Sequence, residues 1–128
     1  MILKILPWFL FLVWNVIIYS LSDIPNLTTN LGIIDLILRK VAHMVEYAIL
    51  YFLWRRAYSV SFNDKKSIST AIGIIVCILI AISDEIHQSF VPGRKGSWKD
   101  VLFFDTLGIV VMAFVIQKWY KIHHRIKL

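Results

Sequence analysis

The sequence predicts an all-α fold, an integral membrane bundle of four transmembrane helices that form one domain. Of the 128 residues, 59% are hydrophobic and the mean hydropathy is +0.72, whereas soluble domains are closer to half apolar. Four apolar stretches also approach the roughly 20 residues that an α-helix needs to cross a bilayer. Because the chain is short, we expect residues 1–128 to form a single transmembrane domain.

The first span is predicted over about residues 5–21, with Asn15 as its one strongly polar side chain. Pro7 falls near the start, where the first turn of a helix tolerates proline. A signal peptide is an alternative, because Lys4 precedes the apolar run. The run is long for a cleaved signal, so we expect a retained helix.

The other three spans differ in how much charge they carry. The second, about residues 34–54, is charged in its first half and cleanly apolar only later. The third, about residues 68–86, runs directly into a polar segment. The fourth, about residues 101–119, contains Asp105 near its start. Tryptophans lie near several proposed span ends, as interfacial aromatic residues do.

The basic residues predict the orientation of the bundle. The formal net charge is +6, but the apolar stretches leave too little soluble surface for a nucleic-acid-binding protein. Anionic lipid headgroups and topology explain the charge better. Four alternating spans place most of the lysines and arginines on one side, so we expect a multi-pass cell-membrane protein with cytoplasmic N- and C-termini. The basic residues on that side are Lys4, Arg55, Arg56, Lys65, Lys66, Lys118, Lys121, Arg125 and Lys127.

Ionisable residues gather at the start of span two, at the end of span three and at the start of span four. Alternating spans bring these three places to the same membrane face, which is the outer face in this orientation. Such groups are costly beside lipid unless they are paired or solvated, and they often mark functional sites. The candidates for catalysis are His43, Glu46, Asp84, Glu85 and His87, and those for substrate binding are Lys40, Gln88, Arg94, Asp100 and Asp105.

Three chemistries fit these residues. The first is a divalent metal site with His43, His87, Asp84 and either Glu46 or Asp105 as ligands, since imidazole and carboxylate suit zinc or manganese. The spacing matches no specific zinc motif. The second is a metal-free hydrolase or transferase with a histidine as general base and a carboxylate that orients it. There Arg94 holds a phosphate. The third is a binding site that grips a polar headgroup without reaction.

Simpler interpretations apply to the same residues. His43 and Glu46 are three apart on a helix and could neutralise each other. Asp84 and Glu85 could bind water beyond the end of the span. Pro92-Gly93 is a type II turn signal, and such a turn would fix Arg94 above the rim.

Several motifs of the chain resemble the VanZ-like family. They occur in the family's order from span two onward, and the run from Ser83 to Arg94 is the most specific. The motifs are His43-Met-Val-Glu46-Tyr47, Ser83-Asp84-Glu85-Ile86-His87-Gln88, Phe90-Val91-Pro92-Gly93-Arg94, Asp100-Val101 and Asp105-Thr106-Leu107-Gly108. The resemblance implies a small polytopic membrane protein. The founding member of that family is associated with resistance to teicoplanin, a lipoglycopeptide, so a link to antibiotic resistance is an expectation from the resemblance alone.

Two hypotheses follow from the residues and the resemblance. In the first, an outer-face site of a cell-envelope protein binds or modifies a lipid-linked or lipidated molecule. In the second, the polar residues form a packing or docking network in a structural or partner-binding membrane protein. A proton-coupled transporter is less favoured, because carboxylates at one rim make no path across the membrane. We expect the lipid bilayer as a partner and no nucleic acid.

Overall fold

The helical fold class is confirmed by a computed structural model, which describes residues 2–26, 32–62, 66–94 and 96–125. Lys65 and Lys127, which contribute to the charge argument, lie outside the described residues. The described residues form helices and contain no strand. The elements are α1 (Ile2–Ser22), α2 (Ile33–Ser61), α3 (Lys66–Gln88), α4 (Trp98–Asp100), a π-helical segment (Val101–Asp105) and α5 (Thr106–Arg125).

Three helical stretches are long and apolar enough to cross a membrane by length and composition. They are Lys4–Ser22, Ser67–Gln88 and Trp98–Ile122. The last one runs continuously through α4, the π-helical segment and α5. α2 does not belong to this group because it carries several charged residues, although its 29 residues would extend about 44 Å at the usual helical rise.

α2 is the central helix of the bundle. Tyr47, Leu50, Tyr51 and Trp54 are all buried, and their spacing places them on one face of the helix. They form the core with residues from each of the other long helices, Ile18, Cys77 and Ile109 among them.

The outer surface of the bundle is apolar. Large hydrophobic side chains are exposed along each of the other long helices, including Phe9, Ile75 and Phe114. Monomeric soluble proteins rarely expose large contiguous apolar patches. This surface matches a lipid environment.

Gly108 brings the backbones of α2 and α5 together. A Cβ atom added at Gly108 would lie 2.0 Å from the carbonyl oxygen of Met44. Small residues allow this close approach between membrane helices. Since Met44 follows His43 and Gly108 lies near Asp105, the contact brings these two ionisable residues towards each other.

The π-helical segment lies just before α5. Thr106 Oγ1 donates a hydrogen bond of 2.7 Å to the carbonyl of Val101, which helps to satisfy the backbone of this wide turn. Asp105 ends the segment and is only 1% exposed. π-helical turns inside longer helices occur frequently at functional sites.

Candidate functional site

Four helix ends meet at one rim of the bundle. They are the C-terminal ends of α1 and α3, the N-terminal half of α2, and α4 with the π-helical segment. Polar contacts join them in pairs, such as Ser22 with Asp84 and Lys40 with Asp100. The sequence predicts that the last three of these regions converge, and the structure places them together.

His43, Glu85 and Asp105 form an inner cluster beneath the rim. His43 Nδ1 lies 3.4 Å from Asp105 Oδ1, and one potential ligand atom from each of the three residues lies within 4.8 Å of the others. Glu85 and Asp105 are buried and His43 is partly buried. Glu46 and Asp84 are close enough to act electrostatically on His43.

The inner cluster contains buried polar atoms that lack hydrogen bonds. Among the described residues, neither carboxylate oxygen of Asp105 has a hydrogen-bond partner, and the same holds for His43 Nδ1. Buried polar groups are normally satisfied, and an exception calls for an explanation. Glu85 differs, because one of its oxygens accepts the backbone N–H of Ser97.

Ser22, Asp84 and Gln88 form a hydrogen-bonded triangle between α1 and α3. Asp84 Oδ2 accepts hydrogen bonds of 2.9 Å from both Ser22 Oγ and Gln88 Nε2, and Gln88 Nε2 also lies 3.1 Å from Ser22 Oγ. All three residues are buried. The other oxygen of Asp84 is buried and has no hydrogen-bond partner among the described residues.

Lys40 connects α2 to α4. Its ammonium group donates a 2.6 Å hydrogen bond to Asp100 Oδ1 and lies 4.3 Å from the centre of the Phe104 ring. Arg39, its neighbour, instead pairs within α2 with Asp35 at 2.8 Å.

Arg94 clasps the end of α1. Its Nη2 donates to the carbonyl of Leu21 at 2.5 Å, and its Nε donates to the carbonyl of Ile24 at 3.3 Å. Gly93, just before it, has a φ of 78°, which glycine adopts without strain. The turn therefore aims the guanidinium at one carbonyl in the last turn of α1 and at another just beyond the helix end, where few backbone N–H donors remain.

A cavity of about 350 Å³ opens at this rim. Three basic residues line it, together with apolar residues of α2 and of the π-helical segment. Its lining consists of Leu36, Arg39, Lys40, His43, Gln88, Gly93, Arg94, Asp100 and Phe104. We call it the rim cavity. His43 belongs both to its lining and to the inner cluster, so the two features are adjacent.

A family model described as VanZ/LLP1 matches residues 4–120, which is most of the chain. The chain belongs to the VanZ/LLP1 family. No curated protein and no solved structure matches it. In this VanZ/LLP1 protein the motifs that indicated the family lie at the rim, where they supply the inner cluster, the triangle, the Arg94 turn and the end of the π-helical segment.

His87 of this VanZ/LLP1 protein faces a different groove. Its Nε2 lies 3.3 Å from Asp23 Oδ1, and its ring stacks at an angle on Tyr19. Both residues line an open cavity along α1. Two positions along a helix correspond to a rotation of about 160°, so His87 points away from the side on which Glu85 lies.

The structure thus groups the candidate metal ligands differently from the set expected from the sequence. His43 and Asp105 are joined by Glu85, while His87 lies in the other groove. Asp84 and Glu46 remain within electrostatic range of His43. A metal held by this VanZ/LLP1 protein would therefore have one imidazole and two carboxylates as its nearest protein ligands.

Three residues at or just after the end of α1 contribute to these polar contacts but were not among the site residues predicted from the sequence. Ser22 completes the triangle with Asp84, while Asp23 and Tyr19 accompany His87. The signal that could have found them is the polar run at the end of the first span, Tyr19-Ser20-Leu21-Ser22-Asp23. The backbone carbonyls that bind Arg94 leave no such signal, because every residue carries one.

Proposed function

We propose that this membrane protein of the bacterial cell envelope binds the anionic headgroup of a lipid-linked or lipidated molecule in its rim cavity, at the outer face. The observation that carries the proposal is the charge of the cavity lining. Arg39, Lys40 and Arg94 supply three positive charges against the single carboxylate of Asp100. An electropositive concave site favours phosphate or carboxylate ligands.

Arg94 is the main anchor for such a headgroup. It is held by two backbone carbonyls, and among the described residues no carboxylate lies within salt-bridge distance of it. A carbonyl orients a guanidinium without neutralising it, so its charge remains available to a ligand. Lys40 and Arg39, by contrast, are each paired with an aspartate.

The surroundings of the rim cavity suit a ligand that is part lipid. Leu36 and Phe104 line the cavity, and the neighbouring side chains Ile37 and Phe103 are exposed apolar groups. A headgroup could enter the cavity while its acyl or prenyl chain stays against the apolar outer surface. The cavity volume falls within the range of small-molecule sites, about 300–1,000 Å³.

The test is lipid binding by the purified full chain in lipid nanodiscs. We expect lipids with a phosphomonoester headgroup to bind more tightly than the same chains with phosphocholine. Arg94→Gln should weaken binding about tenfold or more, because it removes a charge-assisted contact worth roughly 1.5–3 kcal/mol. Arg56→Gln is the control, since Arg56 is an exposed arginine outside the rim. Equal binding by wild type and Arg94→Gln would contradict the proposal.

A reactive form of the same site would use His43. It lines the rim cavity and lies beside Asp105, the arrangement in which a carboxylate orients a general base. Conversion of a bound lipid by the wild type, and its loss in a folded His43→Gln variant saturated with lipid to offset its weaker binding, would establish chemistry. An unchanged bound lipid would restrict the protein to binding.

The association with teicoplanin is part of the same proposal. Teicoplanin carries a lipid tail, so a protein that recognises lipidated molecules could alter its effect. Expression in a susceptible host should raise the inhibitory concentration of teicoplanin more than that of a glycopeptide without a lipid tail. The Arg94→Gln variant should lose this difference.

A structural role is the second candidate, and a specific observation favours it. The triangle of Ser22, Asp84 and Gln88, the Lys40–Asp100 pair and the Arg94 clasp each join two different segments of the bundle. If the rim were only a packing network, Asp84→Ala would lower the melting temperature and the yield, and the wild type would bind no ligand at the rim. If it is a binding site, folded variants should lose a measurable ligand.

The proposed orientation, with both termini in the cytoplasm, rests on the distribution of charge. Arg55 lies near Tyr120, and Trp8 bonds to Ser61, so the N-terminal end of α1 and the C-terminal ends of α2 and α5 share the end of the bundle opposite the rim. Basic residues concentrated there favour the cytoplasmic side. A reporter fused to the C-terminus that is active only outside the cell would contradict this orientation.

A further inference from the structure

We infer that the inner cluster of His43, Glu85 and Asp105 binds one divalent transition metal, zinc or manganese. The three donors come from α2, α3 and the π-helical segment, so the site would join three parts of the fold. Its use in chemistry rests on the proposed function, because His43 also lines the rim cavity. The binding of the metal does not depend on that function.

The geometry of the donors fits a metal of this kind. Nitrogen and oxygen donors bound to zinc at about 2.1 Å lie about 3.4 Å from each other around a tetrahedron. His43 Nδ1 and Asp105 Oδ1 are 3.4 Å apart. The three donors all lie within 4.8 Å of one another, so side-chain movements of about 1 Å would close the site around an ion.

The unsatisfied atoms of Asp105 point independently to a cation. Asp105 is 1% exposed, and neither of its oxygens has a hydrogen-bond partner among the described residues. An ionised carboxylate buried in this way is costly unless a cation or a donor compensates it. His43 Nδ1 lies within ion-pair distance of Asp105 but makes no hydrogen bond, and a metal between the two would satisfy both.

The surrounding charges favour a cation over a neutral occupant. Glu46 and Asp84 add two further carboxylates within electrostatic range of Asp105 or His43. The nearby Lys40 is already paired with Asp100. Arg94 acts electrostatically on Glu46, but the four carboxylates still outnumber the cations near them, and a divalent ion would offset part of this excess negative charge.

The hydrogen bond of Glu85 resembles the support that metal ligands usually receive. One of its oxygens accepts the backbone N–H of Ser97, which orients the carboxylate from outside the cluster. Hydrogen bonds of this kind hold ligating carboxylates in position. The mixture of one imidazole and two carboxylates suits zinc or manganese better than magnesium or calcium, which prefer all-oxygen sites.

The experiment uses the purified 128-residue chain, stripped with chelator and dialysed against Zn²⁺, Mn²⁺, Mg²⁺ or Ca²⁺. Elemental analysis should find about one equivalent of Zn²⁺ or Mn²⁺ per folded protein chain. The same ions should raise the melting temperature, because a ligand that binds only the folded state stabilises it. Retention of neither ion, or a preference for Ca²⁺ or Mg²⁺, would overturn the inference.

Matched variants identify the ligands. Asp105→Asn and His43→Gln should weaken metal affinity by more than about tenfold. Asp100→Asn and His87→Gln should retain it, because they replace the same residue types outside the cluster. Unchanged binding in both Asp105→Asn and His43→Gln would overturn the inference.

The metal-free Asp105→Asn protein separates loss of binding from loss of folding. Burying an ionised carboxylate is costly, and His43 can stay neutral once Asp105 is an amide, so this variant should melt no lower than the metal-free wild type and yet show no rise with metal. If it fails to fold, Glu85→Gln provides the same comparison. Lipid binding is measured in chelator, so the metal site and the proposed function can fail independently.

Discussion

His43 of α2 and Asp105 at the end of the π-helical segment lie side by side, with the imidazole Nδ1 3.4 Å from a carboxylate oxygen. They are far apart in the sequence, and neither finds a hydrogen-bond partner for these atoms among the described residues. Gly108 permits the meeting, because it lets the backbones of the two helices touch beside them. The position of the inner cluster therefore depends on a residue that has no side chain.

Gly108→Ala should destabilise the protein. Alanine is the better helix former by about 1 kcal/mol, but its Cβ would overlap the carbonyl oxygen of Met44, a backbone atom that cannot rotate away. Overpacking of this kind costs about 1–3 kcal/mol, so we expect a lower melting temperature in detergent. Val111→Ala, at an exposed position of the same helix, should change little. A higher melting temperature for Gly108→Ala would show that the helices are not in contact there.

Lys40 and Asp100 should show energetic coupling in a double-mutant cycle. The pair joins α2 to α4 at 2.6 Å with both side chains partly buried, and contacting charged residues couple by about 0.5–3 kcal/mol. Denaturation of Lys40→Met, Asp100→Asn and the double variant would measure the coupling. Lys40→Met combined with Asp23→Asn is the control, because Asp23 pairs with His87 instead. Additive effects in both cycles would mean that the ion pair contributes nothing.

Ser22→Ala should destabilise the bundle more than Ser20→Ala. Ser22 Oγ donates to the buried Asp84, whereas Ser20 Oγ bonds to the carbonyl of Val16 within its own exposed turn. Loss of a buried donor to a carboxylate costs about 1.5–3 kcal/mol. Thermal melting of the two variants compares the same substitution on one helix. If Ser20→Ala has the larger effect, the triangle does not hold α1 to α3.

His87→Gln should leave headgroup binding at the rim unchanged, and His43→Gln should reduce it. His43 lines the rim cavity, while His87 lies in the groove beside Tyr19 and Asp23. The two variants therefore separate the contributions of the two histidines, which the sequence alone does not distinguish. Titration with a phosphomonoester lipid in nanodiscs is the measurement. Weaker binding by His87→Gln alone would move the site to the α1 groove.

The helical fold was predictable because hydropathy reports directly on membrane-crossing segments. The convergence of the polar residues followed from the alternation of the spans, which needs no side-chain detail. α2 was the hardest helix to predict, because its charged residues lower its hydropathy. Its buried face is formed by Tyr47, Leu50, Tyr51 and Trp54.

The grouping of the polar residues was less predictable, because neighbours in sequence point in different directions. Asp84, Glu85 and His87 occupy one short stretch, yet they face three different places. Asp84 contacts Ser22, Glu85 belongs to the inner cluster, and His87 lines the open cavity along α1. The rotation of about 100° per residue explains the separation. The role of Arg94 at the end of α1 depends on backbone carbonyls, to which no sequence pattern points.

The wide turn from Val101 to Asp105 contains more residues than an α-helix would use for the same advance. Asp100 and Asp105 are therefore placed by the length of the segment as well as by its side chains. Deleting a single codon between them would restore a regular helix, in which four residues turn about 400°, nearly the rotation of the five-residue wide turn. Asp100 and Asp105 would therefore still face Lys40 and His43, while the segment would lose its wide turn. Relatives with one residue fewer in this stretch would keep the arrangement of the polar residues without the π-helical segment.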